Sequence, residues 1–290
     1  MCNIVAADKD CEAIFKHVLE RVFYIFYFSV VQRKKGRKTM TNIILVGCNG
    51  RMGQMINGIV AGDEDVAIVA GIDILDNREN GYPVYQEFSG VKEEADVIVD
   101  FSSANNLEKV VDFAIEKKVA LVECSTGLSE EQTKYLLDAG EKTAVLRSAN
   151  MSLGVNLLLK IVKEVACKLA LEGFDIEIVE KHHNQKLDAP SGTALALADS
   201  INEAMDNQYE YIYDRTQVRQ KREKKELGIS SVRGGTIVGE HDVIFAGNDE
   251  VVTFSHASYS RGVFAKGAVV AAKYLKGKDA GLYDMADVLM

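Results

Sequence analysis

The sequence predicts an α/β protein in which a parallel sheet of strand–turn–helix units is joined to a second, α+β part with a mixed open sheet. Three observations carry this reading. Apolar runs of strand length alternate with helix-spaced segments from Thr41 to about residue 151. The first run ends in a glycine-rich turn, and an acidic residue, Asp73, stands 20 positions beyond the last glycine of that turn. In the second part the strand runs follow one another across Gly-containing turns, which suits a mixed or antiparallel sheet.

Residues 1–39 stand apart from this pattern. The apolar run 22–31 is about half the roughly 20 residues that cross a bilayer, and acidic residues precede it while a basic run, 33–38, follows it. A secretory signal has the opposite charge order. A weak interfacial anchor is the lesser reading; the leading one is a dispensable extension, with Met40 as the functional start.

From Thr41 the elements can be justified in order. Asn42–Val46 reads as a strand, Gly47-Cys48-Asn49-Gly50-Arg51-Met52-Gly53 as a turn, and Met55, Ile56, Ile59 and Val60 as the apolar face of a helix. Such a turn lets backbone N–H groups at a helix start reach a pyrophosphate, and the helix dipole favours its charge. The spacing is GxxGxxG rather than GxGxxG. Asn49 replaces the middle glycine and is expected to tolerate a left-handed backbone there. Val66–Ile72 is the second strand, ending at Asp73, where a carboxylate would accept from a ribose. Strands at 95–101, 119–123 and 143–147 follow. Ser102 and Ser103 are expected to cap a helix from Ala104 to Lys118, and Ser129 another. In an open parallel sheet the ligand lies beyond the carboxyl ends of the strands. Phe101, Ser102, Cys124, Ser125, Thr126, Ser148, Ala149, Asn150 and Met151 therefore share an edge with the glycine turn. No Arg directly follows Asp73, which favours NADH, whereas Arg78 keeps NADPH open.

A helix from Ser152 to about Leu171 leaves this part. Next come a strand at 175–181, a helix at 194–205, a polar, highly charged segment at 206–226 that reads as a solvated excursion or mobile loop, and strand patterns at 229–232, 236–238, 242–246 and 250–256. A closing helix at 262–276 is expected to rejoin the first sheet. The division is thus 1–39 as an extension, 40–151 with 263–290 as the dinucleotide-binding domain, and 152–262 as the second, substrate-binding domain.

Composition narrows the function classes. Residues 40–290 carry 26 Lys/Arg against 39 Asp/Glu, a balance that does not draw nucleic acid or an anionic membrane. The five cysteines are scattered and have no metal-ligand spacing, so reduced thiols in a cytoplasmic protein are expected.

Against this acidic background, the stretch 180–193 concentrates cations. Two of the five histidines, His182 and His183, and two lysines, Lys181 and Lys186, fall between a strand and the helix-opening Ser191-Gly192-Thr193. A bound anion would tune His182 and Lys186 as proton donors, and the helix start offers a second anion site. Two anion sites suit a small dicarboxylate. No third ligand accompanies the histidines, so no metal is expected. Lys181 reads as a solvated charge, Asp188-Ala189-Pro190 as helix-entry geometry, and His241 and His256 as structural.

The run Glu180-Lys181-His182-His183-Asn184-Gln185-Lys186-Leu187-Asp188-Ala189-Pro190-Ser191-Gly192-Thr193-Ala194 closely resembles the signature of the 4-hydroxy-tetrahydrodipicolinate reductase family. The resemblance extends to 47–53, 124–127, 239–241 and 281–289. Cys124 departs from it, standing where the family usually has Gly. The resemblance implies hydride transfer from NADH or NADPH to a cyclic dicarboxylate with loss of water, in lysine biosynthesis. It implies that His182 and Lys186 donate protons, and that His183, Lys186, Ser191, Gly192 and Thr193 hold the carboxylates. It also implies a homotetramer built through the second sheet, with hinges near Ser152 and Arg261. Another two-domain NAD(P)-dependent dehydrogenase, or a non-catalytic cofactor sensor, is the alternative.

Overall fold

The computed structural model describes residues 40–290 except 76, 149, 217 and 218; the reading of residues 1–39 lies outside the described residues. Seven strands form an all-parallel sheet: β1 (Thr41–Val46), β2 (Val66–Ile72), β3 (Val84–Tyr85), β4 (Val97–Asp100), β5 (Ala120–Glu123), β6 (Ala144–Arg147) and β12 (Gly281–Tyr283). Their spatial order, β3-β2-β1-β4-β5-β6-β12, is that of a dinucleotide-binding doubly wound sheet. Register places Val46 beside both Ile72 and Asp100, Asp100 beside Glu123, and Glu123 beside Arg147. The loops after these residues therefore line one rim.

The central strands are apolar on both faces because helices cover both. On one side α1 (Arg51–Val60) and α6 (Gly262–Leu275) bury Ile56, Ala268 and Ala272 with Leu45, Val99 and Val122. On the other, α2 (Leu107–Lys117) and α3 (Glu130–Ala139) bury Val110, Val111 and Leu136 with Ile98 and Leu121. The closing helix packs on the first sheet, and β12 adds to its edge. Ser129 caps α3 in a reciprocal capping box with Gln132. Ser102 and Ser103 do not cap α2 as expected. A 3₁₀ turn, Ala104–Asn106, intervenes, and the Ser102 N–H is taken by the Asp100 carboxylate at 2.7 Å.

Ser152 caps α4 (Leu153–Leu169), which leads into a mixed sheet of order β11-β10-β7-β9-β8. Its strands are β7 (Asp175–His182), β8 (Glu210–Ile212), β9 (Glu226–Arg233), β10 (Gly239–Ala246) and β11 (Val251–Ser258). β7 alternates strictly, burying Ile176, Ile178, Glu180 and His182 on the face covered by α4 and α5 (Gly192–Ala204). Two expectations fail here. Residues 236–238 are no strand, because Gly235 turns the chain at φ +47° between β9 and β10. The charged excursion contains β8, parallel to β9, and is anchored: Arg222 pairs with Asp175 (2.8 Å) and Glu177 (3.0 Å), and Arg215 bonds Glu177 and Glu226. Its charges were mistaken for a solvated run because their partners lie more than 35 residues away in sequence or across the turn into β9.

Candidate active site

The rim after β1 forms a cleft of about 300 Å³ whose lining includes Gly47, Gly50, Asp73, Phe101, Ser102 and Lys109. Glycine is required at two points. Gly47 has φ +77°, and a Cβ there would lie 2.9 Å from the Phe101 carbonyl oxygen. A Cβ on Gly53 would collide with the Gly47 and Cys48 carbonyls, so α1 starts hard against the turn. Asn49 is not left-handed; the positive φ belongs to Gly47. Instead its side chain ties the turn to the loop beyond β2, donating to the Leu75 carbonyl and accepting from Asn80 at 2.7 Å. The Asp73 carboxylate accepts from the Asn49 N–H at 2.9 Å and the Leu75 N–H at 3.1 Å, so it braces the turn as well as lining the cleft.

Cys48 is buried against Gly71, and Met151 and Met52 pack on the core, so these three can serve a ligand chiefly through their backbone. Arg51 is exposed at the first turn of α1. Cys124, Ser125 and Thr126 follow β5 on the same rim, and Ser148 and Asn150 follow β6; Ala149 lies outside the described residues. The Ser102 hydroxyl, on the cleft wall, has no hydrogen-bond partner among the described residues. A glycine cradle, the N-terminus of α1 and that hydroxyl together fit a pyridine dinucleotide.

Alternation on β7 delivers Glu180 and His182 to the buried face at the strand's carboxyl end. His182 Nδ1 lies 2.6 Å from Glu180 Oε2, so the carboxylate accepts from Nδ1–H and Nε2 is the ring nitrogen left for the substrate. A Cβ on Gly239 would lie 3.1 Å from that Nε2, so the glycine leaves the ring its space. Glu180 is fully buried and is clamped by Arg233 at 2.6 and 2.7 Å and by the Ser191 N–H at 3.1 Å. Burial would raise its pKa, but the hydrogen bonds from Arg233, His182 and Ser231 bring it down to about 2.

Ser191 turns inward. Its hydroxyl accepts from the Ala194 N–H at 3.1 Å, capping α5, and lies 3.0 Å from His241 Nε2. With its N–H committed to Glu180, the anion-binding capacity at this helix start passes to Gly192 and Thr193. His241 stacks edge-on to His182 at 5.2 Å, and its pKa falls to about 4, first through burial and then through the charge of His182. Lys186 pairs with Asp188 at 2.8 Å, so Asp188 does more than shape the helix entry. His183 is half-buried beside them. Lys181 is paired rather than merely solvated: it points to the other sheet face, to Glu240 (3.1 Å) and Asp242 (3.2 Å). Asn150 donates to Thr193 Oγ1 at 3.0 Å, so the dinucleotide rim and the histidine cluster meet there.

Glu180, Arg233 and His241 are the members of this cluster that the sequence reading did not select. The signal for Glu180 was present: a carboxylate on the buried face of a strand, two residues before a histidine, needs partners. Among the described residues no group of three or more His, Cys, Asp or Glu could hold a metal ion, and no helix is long and apolar enough to cross a membrane.

Fold and site together define a two-part, dinucleotide-dependent oxidoreductase. The chain belongs to the dihydrodipicolinate reductase family: the model of that family's N-terminus matches residues 41–151 and that of its C-terminus matches 154–289. The 4-hydroxy-tetrahydrodipicolinate reductase of Caldanaerobacter subterraneus subsp. tengcongensis is 49% identical over 250 residues, covering 86% of this chain and 98% of that one. The enzyme of the same name from Clostridium tetani is 44% identical over 246 residues, covering 85% and 96%. Among solved structures, the dipicolinate-bound dihydrodipicolinate reductase from Paenisporosarcina sp. TG-14 shares the fold with a TM-score of 0.73 at 24% identity, covering 87% of this chain and 100% of that one.

Proposed function

We propose that this chain reduces 4-hydroxy-tetrahydrodipicolinate to tetrahydrodipicolinate, consuming one NADH or NADPH and one proton and releasing one water, in lysine biosynthesis by the diaminopimelate route. The observation that carries the reading is the Glu180–His182 pair beside the open start of α5, joined through Asn150 and Thr193 to the dinucleotide rim. The bound dinucleotide supplies the hydride. Glu180 holds the His182 ring so that Nε2 can pass a proton toward the substrate, and Lys186 supplies a second donor once a substrate carboxylate competes with Asp188 for it. Gly192 and Thr193 receive one carboxylate at the N-terminus of α5, with His183 and Lys186 on the other. Ser191 supports this site from behind.

NADH is the preferred cofactor in this reading, because the Asp73 carboxylate lines the cleft and would repel a 2′-phosphate; exposed Arg78 still permits NADPH. The family resemblance supports a homotetramer built through the second sheet, and a cytoplasmic location belongs to the same reading. The test is loss of NADH absorbance with substrate generated in situ. Turnover dependent on that substrate is expected, and none with either dinucleotide would refute the assignment.

A further inference from the structure

Beneath the dinucleotide rim the sheet holds two carboxyl groups that the reaction does not use. Asp100 ends β4 and Glu123 ends β5; they are register partners on parallel strands, so their side chains leave the same face of the sheet. Asp100 is 0% and Glu123 1% exposed. Each ties down one rim loop: Asp100 accepts from the Ser102 N–H at 2.7 Å, and Glu123 accepts from the Ser125 N–H at 2.6 Å. Asp100 also lies 3.4 Å from the Ser125 hydroxyl, so the two loops are cross-linked through the pair. The second oxygen of Glu123, Oε2, is buried and has no hydrogen-bond partner among the described residues.

Among the described residues no cation neutralises them. On the β1 side the neighbour is Val46. On the β6 side it is Arg147, whose guanidinium donates to Thr133 on α3 at 3.3 Å. The face above is closed by Leu107, Val110 and Val111 of α2 and Leu136 of α3, while Glu108 and Lys109 of α2 are exposed. The thiol of Cys124, next to Glu123 in the chain, is itself pushed up, first by burial and then by the charges of Glu123 and Asp100. Two carboxylates side by side in such surroundings cannot both ionise, and one proton between them would give Oε2 its missing partner.

We propose that Asp100 and Glu123 share one proton and act as a positioning pair, holding loops 101–103 and 124–126 in the conformation that receives the dinucleotide, and that loss of this proton loosens the loops and weakens dinucleotide binding. The step is a simple deprotonation to solvent, leaving two adjacent carboxylates. Burial, with the Asp100 charge behind it, raises the Glu123 pKa to about 8, so the release falls in mildly alkaline solution.

The inference rests on the assignment of these loops to the dinucleotide, so the test reads the proton separately. Infrared spectra of the full protein without dinucleotide should show a buried protonated-carboxyl band near neutral pH that titrates away under alkaline conditions and is missing from Glu123→Gln. Absence of that band in the unsubstituted protein overturns the proton sharing, whether or not any variant folds. The NADH dissociation constant should rise about tenfold per pH unit above the titration. In Glu123→Gln, whose amide retains an acceptor for Ser125 and a donor for Asp100, it should stay flat. In Glu123→Ala it should be weakened at every pH. A band with equally flat affinity in the unsubstituted protein and Glu123→Gln overturns the positioning role while leaving the shared proton in place.

Discussion

His182 Nδ1 stands 2.6 Å from Glu180 Oε2, and the same carboxylate is held from its other side by both terminal nitrogens of Arg233. One buried acid thus sets the orientation of the histidine that faces the helix start. Replacing it by Glu180→Gln removes the charge that fixes the ring and leaves Arg233 without its ion pair. A fall in kcat of about 100-fold or more is expected, with a loss of about 3 kcal/mol in unfolding free energy. NADH affinity, measured by fluorescence titration, should not change, since Glu180 lies in the second sheet.

Stability should depend on pH through groups with opposite signs. His241 has its pKa lowered to about 4, so unfolding releases a group that binds a proton more readily. Its contribution is present above about 6.5 and is lost as pH falls toward 4. Glu123 is raised to about 8, so its contribution is present below about 4.5 and is lost as pH rises through 8. Between about pH 5 and 6.5 the two partly cancel. In urea unfolding over that window, His241→Asn should make stability fall more steeply with rising pH and Glu123→Gln should make it fall less, each by up to about 1.4 kcal/mol per pH unit. Slopes that move together would contradict the assignment.

The glycine turn can be separated from ordinary helix glycines. Gly53→Ala drives a methyl into two backbone carbonyls and should cost about 1–3 kcal/mol in stability and about tenfold or more in NADH affinity. Gly58→Ala, five residues along the same helix, meets nothing within 4 Å and should stabilise by up to about 1 kcal/mol with affinity unchanged.

Much of this was legible in the chain because its signals are local. Strand–turn–helix alternation marks the first sheet, and Ser129 and Ser152 announce helices that they do cap. The stretch 180–193 marks the candidate chemistry. What was missed depends on distant partners. The Asn49 contacts come from Leu75 and Asn80, His241 reaches the site because β10 pairs with β7, and Ser191 turns inward because Glu180 and His241 are waiting for it. Sheet pairing brought these groups together, and no spacing in the sequence encodes it. The segment 236–238 was misread because three β-favouring residues do not outweigh a glycine turn.

The charged excursion is a further case. Arg222 bonds Asp175 and Glu177 and donates to the Ile176 and Glu226 carbonyls, stitching the excursion to β7 and β9. Arg222→Ala should destabilise the protein by about 1–3 kcal/mol and make residues near 213–222 the first site of limited proteolysis. Cleavage at an unchanged rate and position would show that the clamp contributes nothing.

The central claim is a division of labour: the first sheet holds the dinucleotide, and the end of β7 with the start of α5 holds the substrate and supplies protons. The most direct measurement compares kcat with the NADH dissociation constant in His182→Ala and Lys186→Ala. The account predicts a kcat lower by about 100-fold or more in each, with NADH binding within about twofold of the unsubstituted chain. A parallel collapse of NADH affinity, or full turnover without either side chain, would contradict it.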